Sequence, residues 1–99
     1  MAQYTVYRNI DGAGYLLDVQ SDIISHFSTR VVVPLVAQDE IPDYAKTLNP
    51  VFEIEGELVV MATQGLAAVP GQILKRPVAS LVDKRAEIVQ ALDILFQGI

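Results

Sequence analysis

The hydrophobic period of this chain changes once, at Ser80, and that single change limits the folds open to it. Upstream, apolar residues come in short β-branched or aromatic runs broken by Gly, Pro, Asn and Asp. Downstream they recur at helical spacing. Leu81, Ile88, Leu92 and Leu95 fall on one helical face with Val82, Val89 and Phe96 beside them, while Glu87, Gln90, Asp93 and Gln97 lie away from it. Ser80 is placed to cap the start of the helix, with Asp83 at capping-box spacing. Gly98 is placed to end it, because glycine accepts positive φ.

The upstream part reads as six or seven short strands. Tyr4–Tyr7 is the first, and the turn cluster Asn9–Gly14 joins it to Tyr15–Val19. Arg30–Leu35 is the third; Val31, Val32 and Val33 predict burial on both faces, with Pro34 at the strand end. Gln38–Asn49 reads as a loop or one short helical turn. Val51–Ile54 and Leu58–Met61 flank Glu55-Gly56-Glu57, a second hairpin signal. Leu66–Val69 and Gln72–Leu74 are short extended pieces around Pro70-Gly71, closed off by Pro77. Strands followed by one helix give an α+β fold, a strongly bent antiparallel sheet with the helix packed on it.

At 99 residues the chain is expected to form a single domain, residues 1–99. Zero Cys excludes disulfides and thiolate metal sites, and one His with scattered carboxylates predicts no metal and no cofactor. Hydrophobic residues make up 52% and charged residues only 19%, an apolar surplus that predicts a homodimer. No run reaches the roughly 20 apolar residues of a membrane span. The N-terminal residues lack signal-peptide character, so a soluble, cytoplasmic protein is expected. A net charge of -5, with seven basic residues dispersed among twelve acids, predicts no nucleic-acid binding by the chain alone.

No catalytic constellation emerges. His26 supplies a base without a nucleophile or orienter, and the hydroxyls of Ser21, Ser25, Ser28 and Thr29 suit turn capping. Asp18 and Asp22 are expected to make turn hydrogen bonds. Glu53, Glu55 and Glu57 alternate along a hairpin, as on one solvated face. Lys75-Arg76 and Lys84-Arg85 read as solvated surface. The ending Phe96-Gln97-Gly98-Ile99 is apolar where domain ends are usually frayed and polar. Its spacing leaves two readings open: it seals the helix against the sheet, or it is presented to a partner. Composition and spacing thus reach a small acidic α+β domain that works by binding.

Several segments carry more. Leu17-Asp18-Val19-Gln20-Ser21-Asp22-Ile23-Ile24, Thr29–Leu35, Met61-Ala62-Thr63, Ala67-Ala68-Val69-Pro70 and the closing Phe96-Gln97-Gly98-Ile99 together resemble the CcdB family, over essentially the whole chain. The most specific parts are Asp18–Ile24 and the terminal Gly-Ile.

The resemblance implies an SH3-like barrel: a five-stranded antiparallel sheet, a small three-stranded wing and a C-terminal helix, assembled as a homodimer. It also implies the toxin of a bacterial toxin–antitoxin module. Such toxins bind the DNA gyrase A subunit and trap gyrase on cleaved DNA, without catalysis of their own, until a CcdA-like antitoxin neutralises them. The toxin–antitoxin complex represses its own operon, with DNA contact left to the antitoxin. Carried over by position, the gyrase-facing residues are Ile23, Ile24, Asp93, Phe96, Gln97, Gly98 and Ile99. Gln97 departs from the family pattern, which has Trp there. A ribonuclease toxin of the same barrel, and a non-toxic relative that binds only antitoxin, are the alternative readings.

Overall fold

Alternating side chains along the first strands feed two apolar layers, and this sets the architecture. The computed structural model describes residues 2–24, 26–41 and 45–98. Seven strands form one antiparallel sheet: β1 (Thr5–Arg8), β2 (Tyr15–Asp18), β3 (Thr29–Ala37), β4 (Val51–Ile54), β5 (Glu57–Met61), β6 (Ala67–Pro70) and β7 (Pro77–Ser80). Among the described residues one α-helix, α1 (Arg85–Gln97), follows.

Register places Val6 opposite Leu17 and Leu17 opposite Val33, a fully buried row facing the main core. Their neighbours Tyr7, Leu16 and Val32 point to the other face and pack with Leu74. The valine run of β3 is therefore buried on both sides, as its sequence predicts. Ile88 and Ala91 of α1 close the main core together with Leu81.

The sheet curls because β3 changes partners along its length. Thr29–Val32 pairs with β6, whereas Leu35–Ala37 pairs with β5. The order β7-β1-β2-β3-β6 makes five strands, and β3-β5-β4 makes a three-stranded wing sharing β3. This is the α+β SH3-like barrel with wing and C-terminal helix that the resemblance implied.

Pro34 corrects the sequence expectation. It lies inside β3 rather than at its end, opposite Leu16. The outer register skips Val33 and Pro34 as β3 passes from β6 to β5. A residue without an N–H is tolerated there because no rung is needed, and its carbonyl accepts Ala62 N–H at 2.9 Å.

Three further expectations are corrected. Pro77 opens a strand instead of closing a segment; β7 pairs with β1 across a bulge between Val6 and Tyr7. Gly71–Ile73 is a 3-10 turn where extended chain was expected at Gln72–Leu74. The helix begins at Arg85, because Val82–Lys84 tightens into a 3-10 turn whose Val82 N–H donates to Ser80 Oγ at 3.3 Å. Ser80 thus caps that turn rather than α1.

The wing hairpin turns through Glu55 and Gly56, both at positive φ (53° and 81°), as a two-residue turn matching strand twist requires. Glu55 tolerates this costly conformation with two partners, Arg8 at 2.5 Å and the Tyr15 hydroxyl, which donates at 3.1 Å. It is thus a tie between wing and barrel, not merely part of a solvated acidic row.

Gly14, at φ 84°, ends the β1–β2 connection, and a Cβ there would sit 2.5 Å from the Leu35 carbonyl oxygen. Gly14→Ala combines strain at positive φ with a backbone clash. It is expected to lower the melting temperature by roughly 10 °C or more, since each kcal/mol shifts a domain of this size by about 4–8 °C. Thermal unfolding followed by circular dichroism checks this.

Candidate functional site

Two exposed apolar elements stand out on the finished fold. The first is the 3-10 turn Asp22–Ile24 that follows β2. Ile23 is 88% exposed and Ile24 40%, with Phe27 beyond them at 55%. The second is the C-terminal turn of α1, where Phe96 is 68% exposed and Asp93 and Gln97 are also solvent-facing.

The turn is tied to the neighbouring strands and the N-terminal segment by hydrogen bonds although its tip is bare. Asp18, at the end of β2, and Arg30, at the start of β3, are both fully buried. Arg30 Nε and Nη2 donate to Asp18 Oδ2 at 3.0 and 2.7 Å. Asp18 Oδ1 accepts the Gln20 backbone N–H at 3.0 Å. Arg30 Nη2 also reaches the Gln20 carbonyl at 3.4 Å and lies 3.7 Å from Asp22 Oδ1.

Burial pushes the Asp18 carboxyl above its ordinary pKa, against the opposing hydrogen bonds from Arg30 and Gln20. Among the described residues nothing accepts from Arg30 Nη1. Asp22 accepts the Gln3 N–H at 2.9 Å, which ties the turn to the N-terminal segment.

Asp18 and Asp22 were expected to serve only as turn acceptors. Asp22 accepts from Gln3 of the N-terminal segment instead of from its own turn. Asp18 does accept the Gln20 N–H locally but is also half of a buried ion pair. No sequence spacing signals this, because the partner, Arg30, comes from the next strand. Ser21 does cap locally: its Oγ accepts Ile23 N–H at 3.2 Å and its carbonyl accepts Ile24 N–H at 3.2 Å. His26 is exposed and its ring lies 4.3 Å from that of Phe27. Ser25 lies outside the described residues.

The helix tip ends as its sequence predicts. Gly98 adopts φ 74° and its N–H donates to the Ile94 carbonyl at 3.0 Å. A Cβ there would meet nothing within 4 Å, so the glycine serves the backbone turn and not a tight fit. Ile99 lies outside the described residues. Of the two readings left open for the ending, Phe96 does not seal the core; Ile88 and Ala91 do. Val82, grouped with the apolar face from its spacing, is likewise exposed.

Six of the seven expected partner-facing positions lie among the described residues, and they divide between two elements. Ile23 and Ile24 sit on the turn after β2, while Asp93, Phe96, Gln97 and Gly98 sit at the end of α1. The principal contacts of α1 are with the 3-10 turns Thr63–Gly65 and Val82–Lys84, not with the Asp22–Ile24 turn. Among the described residues no cluster of His, Asp or Glu could hold a metal, and no helix is long and apolar enough to cross a membrane.

Exposure makes a direct prediction. Phe96→Ala should leave stability within about 0.5 kcal/mol of the parent, as surface substitutions do. Ile88→Ala should cost about 2–5 kcal/mol through its cavity. Urea unfolding of the two variants measures the contrast. Compared with known protein families, the chain matches the model described as CcdB protein over residues 3–98.

Proposed function

The chain belongs to the CcdB family, toxins of toxin–antitoxin modules, and from that premise we propose that it poisons DNA gyrase by binding the A subunit. The observation that carries this reading is the pair of bare apolar tips. A large apolar side chain left in water at the end of a capped helix, and another on a hydrogen-bonded turn, are what a binding surface needs before its partner arrives.

In this reading Ile23, Ile24 and Phe96 are the apolar anchors. Asp93 and Gln97 supply polar contacts, Gly98 turns the chain clear of the helix, and Ile99 completes the tip. A homodimer presents each element twice about a two-fold axis, a self-complementary arrangement suited to a two-fold target. The single domain, residues 1–99, acts in the cytoplasm and catalyses nothing: it lodges in the enzyme and stalls religation. A cognate antitoxin, ordering on the toxin surface, lowers its affinity for gyrase.

Gln97 retunes the contact. A Trp at this position could lie on a gyrase Arg, and cation–π contacts contribute about 0.5–2 kcal/mol. Gln keeps a hydrogen bond to a guanidinium and loses that contribution. Gln97→Trp should therefore strengthen binding to the gyrase A dimerisation region by about 2- to 30-fold, read by isothermal titration.

The central test mixes the purified protein with supercoiled plasmid, gyrase and ATP. Linear DNA is expected, and removing Gly98 and Ile99 should abolish it while the protein remains folded. No linear product at saturating protein, with gyrase from the native host, would overturn the reading. Cleavage of RNA in the absence of gyrase would point instead to a ribonuclease.

A further inference from the structure

We propose that Gln20 is a positioning residue for the Ile23–Ile24 turn, a role that rests on the gyrase-binding reading of those two isoleucines. The Gln20 side chain is nearly buried and spends both ends of its amide on backbone. Its Oε1 accepts the Val31 N–H at 3.0 Å, and its Nε2 donates to the Ile24 carbonyl at 3.0 Å. One side-chain amide therefore takes the place of a peptide group.

The location explains the need. The β2–β3 ladder ends at Asp18 opposite Val32, and Val19 N–H still donates to the Val31 carbonyl at 3.0 Å. Beyond that point the chain leaves the sheet to form the turn, and the Val31 N–H loses its backbone acceptor. An N–H withdrawn from water and left without an acceptor is destabilising. The Gln20 carboxamide fills the gap and, with its other end, clamps the last residue of the turn to β3.

The backbone of Gln20 is fixed in turn. Its N–H donates to Asp18 and its carbonyl accepts from Arg30, so the buried ion pair holds the clamp and the clamp holds the tip. The nearest substitutes lose part of this duty. Glu keeps the acceptor but has no donor when ionised, Met has neither, and Asn is one methylene too short to span both backbone groups.

Positioning matters most for residues with few contacts of their own. At 88% exposure, Ile23 has little packing to define where it points. Its direction comes from the turn, and the turn is fixed by Ser21 at one end and Gln20 at the other.

A double-mutant cycle tests this. Binding to the dimerisation domain of the gyrase A subunit is measured by titration for the parent, Gln20→Glu, Ile23→Ala/Ile24→Ala, and the combined variant. Gln20→Glu is expected to weaken binding at least tenfold in the parent and less than twofold once both isoleucines are gone. Hydrogen exchange of the same Gln20→Glu protein should show at least tenfold faster exchange at Ile24 and Phe27, with Val6 and Leu17 unchanged. Gln20→Met, lacking both groups, repeats the cycle if the Glu variant does not fold.

Equal weakening in both backgrounds, or unchanged exchange at Ile24 and Phe27, would overturn the proposal. So would failure of both variants to fold, which would make Gln20 a folding residue instead. A parent protein that does not bind the gyrase domain overturns the gyrase reading, and the exchange result then decides the role of Gln20 alone.

Discussion

The buried Asp18–Arg30 pair is the interaction on which the geometry of the exposed turn depends. Removing two ions from water costs several kcal/mol for each, and only good geometry with additional hydrogen bonds offsets it. Here Asp18 receives two bonds from Arg30 and one from the Gln20 backbone. Burial opposes the charged form of Asp18, while the bonds from Arg30 and Gln20 favour it. A hydrophobic pair of similar volume would pack as well and have no such cost. It could not, however, direct the chain, because apolar contacts are non-directional. The pair sits where β2 ends and β3 begins, so its directionality fixes the path of the loop between them.

The candidate surface has a hydrogen-bonded base and bare tips. The sheet and its two apolar layers set the frame, and the ion pair and Gln20 set one tip. The other follows from the last turn of α1, where Ile88 and Ala91 anchor the helix and leave Phe96 free. The apolar groups offered to solvent are thus supported from behind, not packed from the sides. Little side-chain order need be lost elsewhere when a partner covers them, which favours affinity.

Much of this was legible in the sequence. Period-two runs placed most of the strands, Val31–Val33 announced two-sided burial, Glu55-Gly56 marked the wing hairpin, and Gly98 ended the helix as written. What escaped was non-local. Nothing in the order of residues says that β3 switches partners at Pro34, so by sequence alone the proline reads as a strand end. β7 was missed because Pro77 looks like punctuation until its missing N–H falls at the first residue of a strand. Ala91, the buried neighbour of Ile88, carries too small a side chain to register against Leu92 and Leu95. The candidate site positions come from family resemblance alone; periodicity leaves Phe96 undecided between core and surface. Gln20 lies in the segment that carries the resemblance, but nothing in its spacing signals a clamp, since both partners of its side chain are backbone groups fixed by tertiary structure.

Strand β3 carries a consequence for how the molecule comes together. It borders β2, β5 and β6, so the wing and the barrel own it jointly. Neither part can be completed without it, and two of its partners, β5 and β6, lie some 20 to 40 residues further along the chain. Long-range pairing of this kind demands loop closure before it returns any contact energy. Newly synthesised chains must therefore wait for their later strands, and until these arrive the valine-rich ribbon stays uncovered. For a protein that harms its own cell once assembled, that interval is also a window in which a waiting antidote can meet it.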